Sequence, residues 1–215
     1  MASKTLLVPN KLSDITIGQY QKFAKISTDK VDKDFLEKKM IEIFCHVELK
    51  DVNNIKYSSI KKVVNILNKM FEVKPKLIST FKMNDKEYGM IPKIDDITFG
   101  EYVDIDSTIS DWDSVDKAMS VLYRPIKYKK GKRYLIEDYD SDNENYMDKM
   151  PLDVALGALF FLSNLHSELT SHILNFSREK LMKLTPRQKE HLQRIGVGTP
   201  AYTHCLARIL ADLKK

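Results

Sequence analysis

The chain has 215 residues, of which 43% are hydrophobic and 30% are charged, and its formal net charge is +5. This composition is typical of a folded globular protein and excludes wholesale disorder. Residues 1–7 contain no apolar stretch of signal-peptide length, and the longest apolar segment, residues 154–162, is too short to span a bilayer. We therefore expect a protein that is neither secreted nor inserted in a membrane.

A motif of helix-start residues occurs twice in the chain. Residues 8–20 return as residues 91–102, one residue shorter, with identities at Asp14/Asp96, Ile15/Ile97, Thr16/Thr98, Gly18/Gly100 and Tyr20/Tyr102. In each copy a threonine is the predicted N-cap, and Gln19 or Glu101 three residues later closes a capping box. The motif therefore predicts where two helices begin, and it carries no chemistry of its own.

The first copy of the motif leads into a predicted set of three helices. The apolar spacing predicts helices over residues 17–26, 32–47 and 59–71, the last of them capped by Ser58. Pro75 ends this unit, and we expect the three helices to form a small bundle.

Two β-hairpins are predicted around the second copy. Residues 77–83 and 88–91 flank a turn at Asn84 and Asp85, and residues 126–128 and 134–136 flank a basic turn at 129–132. Between the hairpins a helix is predicted over 112–123. Arg124-Pro125 is expected to stop it, because a residue before proline avoids helical angles.

The last third of the chain is predicted to be helical. Pro151 suits a first helical position, and an apolar face continues from there to about Met182. A closing helix pair is predicted over 187–195 and 201–213. The expected fold class is mainly α, a helical bundle with one or two small β-hairpins as a minor α+β component. Its predicted parts are 1–74 and 75–215, or a single domain containing both.

Charge is unevenly distributed along the chain. Residues 85–117 contain ten acids against three lysines, whereas residues 178–215 contain nine bases against three acids. Opposed patches favour association with a partner or with another copy of the chain, and they do not single out nucleic acid.

No pattern of residues predicts catalysis or a bound metal. The alternating acids Asp138, Asp140, Asp142 and Glu144 resemble half of a calcium loop, but Asn143 and Lys149 occupy the positions where glycine and glutamate are required. The histidines lack ligand spacing, and Cys45 and Cys205 are interpreted as reduced core residues, which implies a cytoplasm. We expect no catalytic residue, no metal site and no cofactor.

Two groups of residues are candidates for binding. Trp112 lies among acids, which is typical of an interface anchor, although packing on its own core explains it equally well. The candidate protein-binding residues are Tyr102, Asp104, Asp106, Trp112, Tyr123 and Arg124. The candidate nucleic-acid contacts are Lys127, Lys129, Lys130, Lys132 and Arg133. Such a basic hairpin grips phosphates in some proteins, but more often it serves solubility and blocks edge pairing.

Three stretches together carry a resemblance to a known group of proteins. Residues 96–104 read DITFGEYVD, residues 118–126 read AMSVLYRPI, and residues 150–161 read MPLDVALGALFF. In this order they resemble tailed-bacteriophage proteins encoded among virion structural and tail genes, some of which are described as tail assembly chaperones.

The resemblance implies a non-enzymatic phage protein in the cytoplasm of an infected bacterium, or in the virion. Its expected partners are other virion proteins, with a homo-oligomer as a further option. The leading hypothesis is an assembly factor of the chaperone kind. The alternatives are a permanent structural component, such as a ring or connector subunit, and a nucleic-acid-binding phage protein.

Overall fold

The computed structural model describes residues 6–27, 31–141 and 147–183, with side chains described as far as residue 168. These residues form seven α-helices and one four-stranded antiparallel sheet, so the fold is a mixed α+β arrangement and not a helical bundle alone. In chain order the elements are α1 Ile17–Ile26, α2 Lys33–Phe44, α3 Leu49–Val52, α4 Tyr57–Phe71, β1 Thr80–Met83, β2 Lys86–Met90, α5 Phe99–Thr108, α6 Val115–Leu122, β3 Tyr123–Lys130, β4 Arg133–Ile136 and α7 Leu152–Lys183.

Both predicted capping boxes are confirmed. The Thr16 hydroxyl accepts from the backbone N–H of Gln19 at 3.2 Å, and the Thr16 N–H donates to the Gln19 side chain at 2.9 Å. Thr98 and Glu101 make the same pair of hydrogen bonds at the start of α5. Each box satisfies backbone donors that a helix start leaves unpaired, so the two helices begin where the motif predicts.

The first helices pack through aromatic and branched side chains. The ring of Phe44 on α2 lies 5.3 Å from that of Phe23 on α1 and 5.3 Å from that of Phe71 on α4. Helix α4 buries a stripe at helical spacing, formed by Ile60, Val63, Val64, Leu67 and Met70. Its predicted cap at Ser58 is wrong: the helix begins at Tyr57 after Lys56, with no side-chain cap.

Both predicted hairpins are confirmed, and they join into one sheet. Asn84 and Asp85 have φ of 49° and 61°, the left-handed angles that a tight two-residue hairpin turn requires. The strand order is β1-β2-β3-β4, with Gly89 opposite Arg124 where the two hairpins meet.

The helix before β3 is shorter than predicted. It begins at Val115, ends at Leu122, and passes directly into β3 at Tyr123. Arg124-Pro125 does follow the helix end as expected. The chain remains extended there, however, because Pro125 pairs opposite Tyr88 and its carbonyl accepts from the N–H of Glu137 at 2.9 Å.

The chain divides into two compact units, Met1–Ala158 and Leu159–Lys215. The predicted boundary between residues 74 and 75 lies inside the first unit. Within that unit α7 begins close to the chain after α4: a Cβ at Gly157 would meet the carbonyl oxygen of Lys76 at 2.5 Å. In the second unit the structure describes α7 as far as Lys183, close to its predicted end. The predicted helices 187–195 and 201–213, with Cys205, lie outside the described residues.

Candidate functional site

Helix α5 is anchored to the sheet by a buried ion pair. The Nη2 atom of Arg124 on β3 lies 2.7 Å from Oε1 of Glu101, and both side chains are almost fully buried. Burial pushes the pKa of Glu101 upward, but hydrogen bonds with Thr98 and the Arg124 guanidinium outweigh it and hold the pKa below its ordinary value. Glu101 is therefore ionised at neutral pH, and α5 has a fixed orientation on β3.

One face of α5 carries apolar side chains that the described chain leaves uncovered. Phe99, Tyr102 and Val103 are 82%, 45% and 42% exposed. Spacing of three and four residues places them on one stripe, which exposed Asp106 continues by a further turn. We call Phe99, Tyr102, Val103 and Asp106 the α5 face. Exposed aromatic residues on a well-anchored element are typical of protein-binding surfaces.

The two motif copies differ in what covers their helix starts. At the first copy Ile17 donates its N–H to the carbonyl of Met150 at 3.0 Å, and Gly18 donates to the carbonyl of Asp148 at 2.8 Å. Ile17 is consequently fully buried. At the second copy Phe99 takes the place of Ile17, and no described residue accepts a hydrogen bond from its backbone N–H. The same motif therefore begins one helix with a buried residue, Ile17, and the other with an exposed residue, Phe99.

The glycine of each copy allows a close approach by the chain between β4 and α7. A Cβ at Gly18 would lie 3.0 Å from the carbonyl oxygen of Asp148, and a Cβ at Gly100 would lie 2.9 Å from the ring of Tyr139. Tyr139 donates its hydroxyl to Asp104 Oδ2. This hydrogen bond, with burial, raises the pKa of Tyr139 to about 12. The ring of Tyr139 thus covers the Gly100 side of α5 and leaves the α5 face free.

Three of the predicted protein-binding residues lie on α5. Tyr102 and Asp106 belong to the exposed α5 face. Asp104 is partly buried and accepts a hydrogen bond from the Tyr139 hydroxyl, so it connects α5 to the segment that follows β4. The prediction that a partner binds through Tyr102 and Asp106 stays a prediction, now with a defined surface.

The other three predicted residues make contacts inside the unit. The ring centroid of Trp112 lies 4.6 Å from that of Tyr20, which agrees with the second interpretation given to this residue, packing on its own core. Tyr123 is fully buried and donates its hydroxyl to the carbonyl of Ile78 at 2.8 Å. Arg124 is paired with Glu101. Tyr123 and Arg124 are neighbours on β3 and therefore point to opposite faces of the sheet, where each is occupied by a contact within the unit.

Phe99 and Val103 were not predicted as binding residues. Within the sequence they read as ordinary members of an apolar helix start, as Ile17 does in the first copy. Only the three-dimensional path of residues 147–151, which cover the first copy and not the second, distinguishes Phe99 from Ile17. The sequence signal at this position is the replacement of the aliphatic Ile17 by the aromatic Phe99 between the two copies.

The basic hairpin is partly neutralised by the sheet. Lys127 contacts Asp138 at 2.7 Å, and Lys129 pairs with Glu87. Among the described ion pairs none involves Lys130, Lys132 or Arg133, which are exposed near the turn. Of the five predicted nucleic-acid contacts, Lys130, Lys132 and Arg133 are therefore the ones outside these ion pairs. Nucleic-acid binding by this hairpin stays a prediction.

A groove of about 470 Å³ lies between the segment before α1 and the last turns of α4. Its apolar lining includes Leu12, Met70, Ile66 and Val73, and the last two are 46% and 55% exposed. Its charged lining is Lys11, Lys69 and Asp153. Burial raises the pKa of Asp153 above its ordinary value. Residues 61–76, which include the α4 side of the groove, carry five lysines and one acid. Of these lysines only Lys69 lines the groove, and Lys61 pairs with Glu37 on α2. We call this the basic groove.

Comparisons of the chain with protein-family models, curated proteins and solved structures found no match. None of the helices in the described ranges combines the length and the hydropathy that crossing a bilayer would need. The functional interpretation therefore rests on the geometry of the α5 face and on the sequence resemblance.

Reactive groups in the described part of the chain do not gather into a metal-binding cluster. No group of three or more histidine, cysteine, aspartate or glutamate side chains lies within metal-binding reach there. The acidic loop that resembles half of a calcium site falls partly on residues 142–146, outside the description. Burial raises the pKa of the Cys45 thiol to about 11, which keeps it protonated at neutral pH.

Proposed function

We propose that the protein is a non-enzymatic phage assembly factor that binds other virion proteins through the α5 face. The observation that carries the proposal is the exposure of Phe99 on a helix whose position is fixed. Water-exposed aromatic surface on a rigid element is costly to leave uncovered and favourable to bury. Covering Phe99 would stabilise a complex by roughly 1.5–3 kcal/mol.

The charge around this face defines the chemistry of the partner. Residues 95–106 contain five acids and no basic residue. Glu101 is neutralised by Arg124 and Asp96 pairs with Lys93 at 3.3 Å, whereas Asp95 and Asp106 are exposed. A partner surface with an apolar centre and a lysine or arginine rim complements this arrangement. Opposite charges at the rim speed association and suppress wrong partners.

The resemblance to tail-module proteins supports a role in virion assembly. A chaperone-like factor would cover an aggregation-prone surface of a virion protein and leave before the particle is complete. A permanent ring or connector subunit would use the same surface and remain in the particle. The two versions share the α5 face and differ in where the protein ends up.

The experiment is affinity purification of the tagged full chain from infected cells, followed by mass spectrometry of the soluble pool and of finished particles. We expect virion proteins to co-purify with the parent chain, and Phe99→Ser to lose them. Leu135→Ser is the matched control, because Leu135 is 63% exposed on β4, outside the α5 face.

Recovery of the protein in finished particles would replace the chaperone version by the structural one. Equal recovery of virion proteins with Phe99→Ser and with the parent would refute binding through the α5 face.

A further inference from the structure

The α5 face and the basic groove are complementary surfaces of the same unit. We infer that the α5 face of one copy docks in the basic groove of a second copy, so that the chain assembles head to tail. The inference rests on the proposed function, because it names a partner for the same face.

The apolar parts of the two surfaces match in kind. The α5 face presents two aromatic rings and Val103, and the groove presents Ile66 and Val73 above the buried side chains of Leu12 and Met70. A groove of about 470 Å³ lies in the size range that holds a compact apolar group with its polar neighbours. Contact would remove both exposed apolar patches from water at once.

The charged parts of the two surfaces are opposite in sign. The acids Asp95 and Asp106 flank the α5 face, where Asp96 already pairs with Lys93 at 3.3 Å. Lys11 and Lys69 line the groove together with one acid, Asp153. Docking therefore places the exposed acids against a lining in which lysines outnumber acids two to one, and charge complementarity favours this pairing.

The same charges oppose a dimer that is joined face to face or groove to groove. Two α5 faces brought together would set acids against acids, and two grooves would set lysines against lysines. A head-to-tail contact between two copies instead leaves a free groove on one copy and a free face on the other. Such a heterologous interface continues into a ring when its rotation closes, and into a filament when it does not.

The test is sedimentation velocity of the full chain over a range of concentrations, with two single variants and their mixture. Phe99→Ser disables the face and keeps the groove, and Ile66→Ser disables the groove and keeps the face. Both residues are exposed, so neither replacement disturbs the core. We expect the parent to form species larger than a dimer and each variant alone to associate at least about tenfold more weakly.

The mixture is the decisive sample. It retains one intact interface, between the groove of the Phe99→Ser chain and the face of the Ile66→Ser chain, and should form a 1:1 heterodimer and nothing larger. Leu135→Ser is the control and should assemble as the parent does. Raised salt should weaken the parent assembly, because part of the attraction is between exposed charges.

A parent chain that stays monomeric at every concentration, or a mixture without heterodimer, would overturn the inference. A parent that stops at a two-fold dimer sensitive only to Phe99→Ser would overturn it too. In each case the proposed function is judged separately: it stands if Phe99→Ser still loses virion proteins from infected cells, and falls if it does not.

Discussion

Glu101 is the residue that determines how α5 presents its outward face. One carboxylate oxygen accepts from the backbone N–H of Thr98 at 2.6 Å, and the other pairs with Arg124 at 2.7 Å. The side chain therefore closes the capping box and ties the helix to β3. In the first copy Gln19 closes the box without a charge, and its amide donates to the carbonyl of Ile43 at 2.8 Å. One position in the motif thus connects each helix to a different neighbour.

The ion pair predicts an asymmetry between a single and a double replacement. Arg124→Met leaves the Glu101 carboxylate buried without its partner, and we expect the free energy of unfolding to fall by about 3 kcal/mol. Glu101→Gln combined with Arg124→Met should recover at least half of the loss, because glutamine keeps the capping bond and buries no charge. Urea unfolding at neutral pH measures both variants.

The pH dependence of the stability of the Arg124→Met variant is the control for this prediction. The pKa of Glu101 lies below its ordinary value of 4.5 in the folded chain, so Arg124 stabilises the fold fully above pH 4.5 and loses this effect as the pH falls through the lowered pKa. The cost of Arg124→Met should shrink over that acidic range. A cost within about 0.5 kcal/mol of zero at neutral pH would contradict a structural role for the pair.

Among the secondary-structure elements, the two capped helices show which features the local sequence determines. The threonine caps, the positions of α1 and α5, and the hairpin turn at Asn84-Asp85 follow from residues a few positions apart, and they could be predicted. The burial of each helix start could not be predicted, because it depends on the path of the chain between β4 and α7. Residues 147–151 hydrogen-bond to the first copy, while Tyr139 lies against the second.

This difference predicts unequal effects for matched glycine replacements. Gly18→Ala would press a Cβ against the backbone of Asp148, which the Gly18 and Ile17 hydrogen bonds hold in place. We expect a loss of about 1 kcal/mol, at the low end of overpacking effects. Gly100→Ala meets the edge of the partly exposed Tyr139 ring, which can rotate away.

Gly100→Ala should therefore cost less than Gly18→Ala, or stabilise the chain, since alanine favours helix over glycine. Urea unfolding of the two variants side by side measures the difference. The opposite order of stabilities would show that backbone contact at the first copy is not what separates the two helix starts.

At the scale of the whole molecule, long-range strand pairing decides which residues reach the surface. The pairing of β2 with β3 sets Met90 opposite Tyr123 and Gly89 opposite Arg124. Tyr123 is thereby buried on one face of the sheet, and Arg124 meets Glu101 on the other. Residues more than thirty positions apart make these contacts, and no local pattern near Arg124-Pro125 signals them. The joining of the two hairpins into one sheet was unpredictable for the same reason.

The charge pattern predicted an acidic patch in residues 85–117 and a basic patch in residues 178–215. The acidic stretch contains the α5 face, whereas the predicted basic patch lies outside the residues whose side chains are described. The lysines of residues 61–76 were not part of that prediction, and the predicted association stays a prediction. The structure supplies the apolar side chains at the centre of the acidic patch.

Site-specific photo-crosslinking in infected cells tests the central claim, that the α5 face is covered by another protein. A photoreactive benzoylphenylalanine at position 99 keeps the aromatic character of Phe99, and the same group at position 135 is the exposed control. We expect covalent adducts from position 99, to a virion protein or to a second copy of the chain, that position 135 does not give. Equal or absent adducts at the two positions would contradict it.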